Sequence, residues 1–408
     1  MLFLSAKSPI MLNRPAKNDL PAHHPTIPTD GLRRGSIALL TVFVAVMVFA
    51  FAAFTVDVGL IVLVKQQLQT ASDAASLAAA QELVTPLQLG AASGSPAETA
   101  AVASARSAAV AVAAENPNGY SATTALYPNS DIQFGNRTWD FGTNSWVTTW
   151  NVGPYNTVRT KARRVSSNGD SLTLLFAPVF GHQSTDVNEE SVASLIPGVG
   201  FSSGGGGHSP IPPFAVDVDS WMALTGATTP DNWSWNEATG AATAGSDGVP
   251  ELSIFPLHPD ETLPAGNRGT INIGNPNNST ADLSRQISNG VNSGDLAYHG
   301  GSIDFSGGPI VFSGDPGLSA AIKDELESII GEPRALVLFT EVSGNGANAA
   351  YTCVRFAGVR VMHVKLTGPM SLKRVIIQPA AIFDSHVIAG PTDTTVLGTL
   401  YTMPKLTQ

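Results

Sequence analysis

The sequence has little of what fixes small or reactive folds. A single cysteine, Cys353, stands among 408 residues, so no intramolecular disulfide can form and any exported part must hold together by packing. No histidine or acidic residue flanks that thiol. A free cysteine in such a setting reads as a small apolar side chain buried in a strand. Basic residues are also short: 22 Lys and Arg against 32 Asp and Glu leave a net charge of −10, the reverse of a nucleic-acid binder. Metal and phosphate signatures are missing too. His258-Pro259-Asp260-Glu261 and the separate His299, His363 and His386 fall at no two-His or paired-cysteine spacing. Ser343-Gly344-Asn345-Gly346 lacks the lysine and helix of a phosphate loop. No cofactor or metal is expected.

The charges that exist are placed unevenly. Ahead of residue 36 stand Lys7, Arg14, Lys17, Arg33 and Arg34 against Asp19 and Asp30, a balance of +3, while the other 17 basic and 30 acidic residues leave −13. Residues 36–56, SIALLTVFVAVMVFAFAAFTV, carry no charge. At about 1.5 Å per residue this run makes a helix of about 31 Å, enough to cross the hydrocarbon layer of a bilayer. Apolar character resumes after Asp57 as far as Val64. Arg33 and Arg34 at the near edge are the kind of basic residues retained in the cytoplasm, which places the N-terminus inside and residues beyond 57 outside. A cleavable signal peptide is the competing reading, because Ala50-Phe51-Ala52 is an A-x-A site. Against it, the run continues past that site and the leader is 35 residues long. Residues 1–35 contain Pro9, Pro15, Pro21, Pro25 and Pro28 without apolar periodicity and read as a disordered tail. Met11 is a second possible start.

Beyond the apolar run come Asp57-Val58-Gly59 and then Lys65 to Ala80. As a helix, Val64, Leu68, Ala71, Ala75 and Ala78 form one narrow stripe of mostly small residues, with Gln66, Gln69, Asp73 and Ser76 opposite. Alanines at four-residue spacing let another backbone approach closely. Composition alone is also met by an amphipathic extension that packs on its own domain. The order basic R-R-G, apolar helix, D-x-G, Lys65, then L-Q-x-A-x-D-A-A-x-L-A-x-A closely resembles the N-terminal region of the TadG-like proteins of tight-adherence (Flp) pilus systems, from Arg33 to about Leu83. The residues that carry the likeness are Asp57, Gly59, Leu68, Gln69, Ala71, Asp73, Ala74, Ala75 and Ala78. The resemblance implies a bacterial inner-membrane protein whose partners are the lipid bilayer and, through the small-residue helix, other pilus-assembly membrane proteins. Pilin-like members of such systems are cut after a glycine with a glutamate five residues on. Leu40 occupies that place after Gly35, which argues for an anchored accessory protein over a processed subunit.

Farther on, Ser95-Pro96-Ala97-Glu98 opens a helix that Asn116-Pro117-Asn118-Gly119 ends. Extended runs follow near 132–139, 147–152, 158–165, 172–180 and 187–196 and suggest an antiparallel sheet. Phe201 to Pro213, FSSGGGGHSPIPP, reads as a flexible joint. A β-rich domain is expected over 214–408, with Trp221, Trp233 and Trp235 as anchors. Its one clear helix starts at Asp315-Pro316, buries Leu318, Ile322, Leu326 and Ile329, and stops at Gly331. Strands are expected near 335–342, 351–356, 359–366 and 375–378. Asp217-Val218-Asp219-Ser220 resembles a metal loop of von Willebrand A domains but departs from it at Asp219 and Trp221. The fold class expected is α+β: a tail (1–35), a transmembrane helix (36–56), a pilin-like helix and sheet (57–200), a joint (201–213) and a β-rich domain (214–408). Two other functions stay open, a membrane-tethered hydrolase and an adhesin-like module built on an exposed tryptophan platform.

Overall fold

A computed structural model describes residues 34–88, 92–204, 206–225, 229–236, 238–255, 268–274, 279–315, 320–344, 348–369, 372–392 and 397–407. The chain divides after Thr55, and residues 56–408 make one compact unit. The class is α+β. The apolar run and the small-residue segment belong to one helix, α1 (Arg34–Gln81), which contains no proline and is rich in the alanine and leucine that favour helix. Each large apolar side chain from Ile37 to Phe54 is exposed, and α1 is long and apolar enough to cross a membrane.

In the second unit, α2 (Val84–Gln88) precedes α3 (Pro96–Ala114). Ser95 caps α3 by accepting the N–H of Glu98, and the Glu98 carboxylate reaches back to the N–H of Gly94 at 2.6 Å. The buried face of α3 is Ala101, Ala105, Ala109 and Ala113, a repeat of four that keeps the helix close to its neighbours. An antiparallel sheet follows, in the order Ser145–Trp150, Ile132–Asp140, Thr157–Arg164, Val187–Ser194 and Lys405–Leu406. Four of the five expected runs are these strands. The fifth, 172–180, pairs only over Leu172–Thr173 and then turns through the 3-10 helix Ala177–Phe180, where Pro178 has no N–H to give a ladder.

The C-terminal half holds a seven-stranded sheet in the order Leu252–Phe255, Arg374–Pro379, Ala349–Lys365, Ile310–Asp315, Arg268–Ile271, Phe214–Asp217 and Pro333–Ser343. Pro333–Ser343 also pairs back onto Ala349–Lys365, so five of these strands close into a ring with no free edge between them. The strands expected at 351–356 and 359–366 are one continuous strand, Ala349–Lys365. Cys353 lies in it, fully buried, and burial pushes its thiol up to about 12. The expected helix after Asp315 is found as Lys323–Ser328, with Ile322, Leu326 and Ile329 buried and Gly331 at φ +86°. Its start at Pro316 and Leu318 lies outside the described residues. A second helix, Thr280–Asn289, is capped by Ser279 and buries Leu283 and Ile287.

The stretch expected as a joint, 201–213, is held by neighbours at both ends among the described residues. Phe201 and Ile211 have no exposed surface. Gly198–Ser202 is the middle strand of a three-stranded sheet between Ser302–Asp304 and Val387–Ala389, and Ser209 pairs with Val291. The C-terminal end also returns to the first sheet, where Leu406 pairs with Ala193 and Tyr401 and Ala381 join the core under α1 and α3. Local glycine content predicts freedom only where no neighbour claims the backbone.

Candidate membrane anchor and helix-packing face

Asp57 is the first charged residue after the apolar run. It is buried, and its carboxylate accepts the N–H groups of Leu175 (2.8 Å), Phe176 (3.0 Å) and Ala177 (2.6 Å). A charged acceptor shared by three successive N–H donors is a strong tie, and it joins α1 to the turn at 175–180 across 118 positions of sequence. Gly59 has no comparable reason within the chain: a Cβ there would meet nothing within 4 Å.

The next stretch shows why its spacing matters. Gln69 donates to Asp73 at 2.7 Å, a pair four residues apart on one helix face. Leu68, Ala71, Ala75 and Ala79 are fully buried, as are Ser72 and Ser76, while Ala74 and Ala78 are half-buried. Ser72 Oγ donates to the carbonyl of Thr160 at 2.9 Å, and Thr160 Oγ1 donates back to the carbonyl of Ser72 at 2.8 Å. Ser76 Oγ reaches Ser191 Oγ at 3.3 Å. Lys65 pairs with Glu189 at 3.3 Å, and Gln67 Oε1 accepts the N–H of Gly119 at 2.7 Å. All these partners belong to the chain's own unit.

Two expectations therefore change. The Leu68, Ala71 and Ala75 stripe lies buried in the chain's own core, beside Ala105, Ala109, Ala113, Ile132 and Val158. Ser76, read as lying opposite the stripe, faces the sheet. The serine-to-sheet bonds were illegible in sequence, because Thr160 and Ser191 are 88 and 115 residues away. The side of α1 left open carries Gly59, Val62, Leu63, Gln66 and Thr70. Arg33 lies outside the described residues, and Arg34 begins the helix.

The residues weighed for chemistry are apart. Asp217 caps a short helix through Ser220, and among the described residues no group of three or more His, Cys, Asp or Glu could hold a metal. His299 lies against Phe312, and His363 stacks on Trp233. His386 Nδ1 faces Asp384 Oδ1 and its Nε2 faces the carbonyl of Gly206, both at 2.7 Å. Gly200-Phe201-Ser202-Ser203-Gly204 has the spacing of a serine nucleophile elbow, where none was expected. Ser202 nevertheless ends a paired strand with no helix after it, and no hydrogen bond joins its hydroxyl to His386 among the described residues. Trp221 is buried and donates to Leu397, whereas Trp235 lies under the Arg360 guanidinium. The three tryptophans form no shared exposed platform. His258 to Glu261 lie outside the described residues.

Residues 35–82 match the model of a family described as "Putative Flp pilus-assembly TadE/G-like". The likeness read from Arg33 to Leu83 is shown over that span. No curated protein and no solved structure matches the chain.

Proposed function

We propose that this chain is a non-enzymatic envelope protein that supports assembly or attachment of a Flp-type pilus from the bacterial inner membrane, with its N-terminus cytoplasmic and residues beyond 57 outside. The family match at 35–82 carries the reading, because it falls on the apolar helix and on the D-x-G and Q-x-A-x-D-A-A spacings together. Arg33 and Arg34 support the orientation.

Contact with other pilus-assembly proteins belongs, in this reading, to the open side of α1. Gly59→Leu should leave the chain folded and abundant, since nothing in it lies within 4 Å of that Cβ position. A bulky side chain there would hold a partner helix off. Surface pili counted by electron microscopy should disappear in a strain lacking the gene, return with the wild-type chain, and return poorly with Gly59→Leu. Normal pilus numbers in the deletion strain would overturn the function. Full rescue by Gly59→Leu would remove the helix contact alone.

A further inference from the structure

The stretch 171–181, Ser-Leu-Thr-Leu-Leu-Phe-Ala-Pro-Val-Phe-Gly, has no charged residue. From Leu175 it leaves its strand partner and coils, and four large apolar side chains stand exposed: Leu175 (55%), Phe176 (43%), Val179 (83%) and Phe180 (69%). Scattered apolar residues on a surface are ordinary. Four within six positions on one turn form a patch that calls for a partner.

The position of the patch along the chain identifies that partner. Its backbone is tied by three N–H groups to Asp57. Asp57 lies one residue, about 1.5 Å of helix, beyond the uncharged run. The patch is thus fixed to the place where the chain leaves the hydrocarbon layer. Val58, Val62 and Leu63 on the adjoining turns of α1 are exposed as well. The Asp57 carboxylate also takes up backbone N–H groups that an apolar layer would leave bare.

We propose that the 175–180 turn is a lipid-facing wedge, whose Leu175, Phe176, Val179 and Phe180 side chains enter the headgroup and upper acyl region of the leaflet from which Asp57 emerges. It gives the exported unit a second contact with the bilayer, of the kind an interfacial apolar segment makes. The proposal rests on residues 36–56 spanning the membrane, and the test separates the two.

The full chain would be placed in phosphatidylcholine nanodiscs after labelling one introduced cysteine at a time with an environment-sensitive fluorophore, at Val179→Cys, Phe180→Cys, Phe49→Cys or Tyr298→Cys. Cys353 is buried and serves as the unreactive background. Entry into the leaflet should blue-shift the label at 179 and 180, and lipids carrying a nitroxide near the headgroup should quench it. Deep nitroxides should quench position 49, and position 298 should respond to neither. Quenching at 49 without quenching at 179 and 180 overturns the wedge and leaves the anchor standing. Protection of 179 and 180 from both lipid nitroxide and aqueous iodide means that protein covers the patch, and also overturns it. No quenching at 49 overturns the spanning reading and the wedge with it.

Discussion

A single carboxylate decides much at Asp57, and a second one, Glu251, shows how burial changes what such a group does. Glu251 is 3% exposed beside Trp233 and Arg374. Burial is the main cause that pushes its carboxyl up to about 7 from 4.5. Asp231 and Asp247 push the same way, and the N–H groups of Asn232 and Trp233 pull it down. The folded state therefore binds this proton more tightly than the unfolded chain. Its contribution is favourable at low pH and is lost as pH rises from about 4.5 through 7. Glu251→Gln keeps an acceptor for the Trp233 N–H and removes the titration. The stability difference between wild type and Glu251→Gln should shift in favour of the variant by on the order of 1–3 kcal/mol between pH 5 and pH 8. Thermal unfolding of the full chain followed by tryptophan fluorescence reads this, and a pH-independent difference would show that the carboxyl is already ionised at pH 5.

Elements show where periodicity informs and where it misleads. The helix at 96–114 was legible because Ser95, Pro96 and the Asn116-Pro117 end act within one turn, through local geometry alone. The stripe on α1 was legible as a buried face. What buries it was not, because close packing of alanines looks the same whether the neighbour is another protein or the chain's own core. With Ala71 and Ala75 at zero exposure, replacing either by leucine should cost about 1–3 kcal/mol through overpacking. Abundance and melting temperature should fall together with any pilus phenotype, while Gln66→Leu on the open side should leave the melting temperature unchanged. A stable double leucine variant that still lost pili would return this stripe to a partner. The strand expected over 172–180 failed for a related reason: apolar β-formers were present, but Asp57 claims the N–H groups that a ladder would need.

For the whole molecule, the glycine-rich stretch is the point at issue. The His386 ring sits between Asp384 Oδ1 and the Gly206 carbonyl, 2.7 Å from each, and Phe201 and Ile211 are buried on either side. Limited proteolysis of the full chain, read by mass spectrometry, should not split residues 56–408 at 201–213. Phe201→Ala should make that cut appear by costing about 3–5 kcal/mol of packing. Early release of two stable halves from the wild type would restore the tether.

The sequence by itself determined the apolar helix, its charge bracket, the likeness over 35–82, the caps of α3 and most of the strands. Each of these depends on spacing along the chain or on the total apolar length of a segment. Tertiary structure alone decided that Ser72 and Ser76 bond to the sheet, that Asp57 holds the 175–177 turn, and that the strand Lys405–Leu406 is added at one edge of the first sheet. The partners in those contacts stand between 88 and more than 200 residues apart. No local pattern encodes which distant backbone group will satisfy a buried donor or acceptor, and only the packed chain brings the two together.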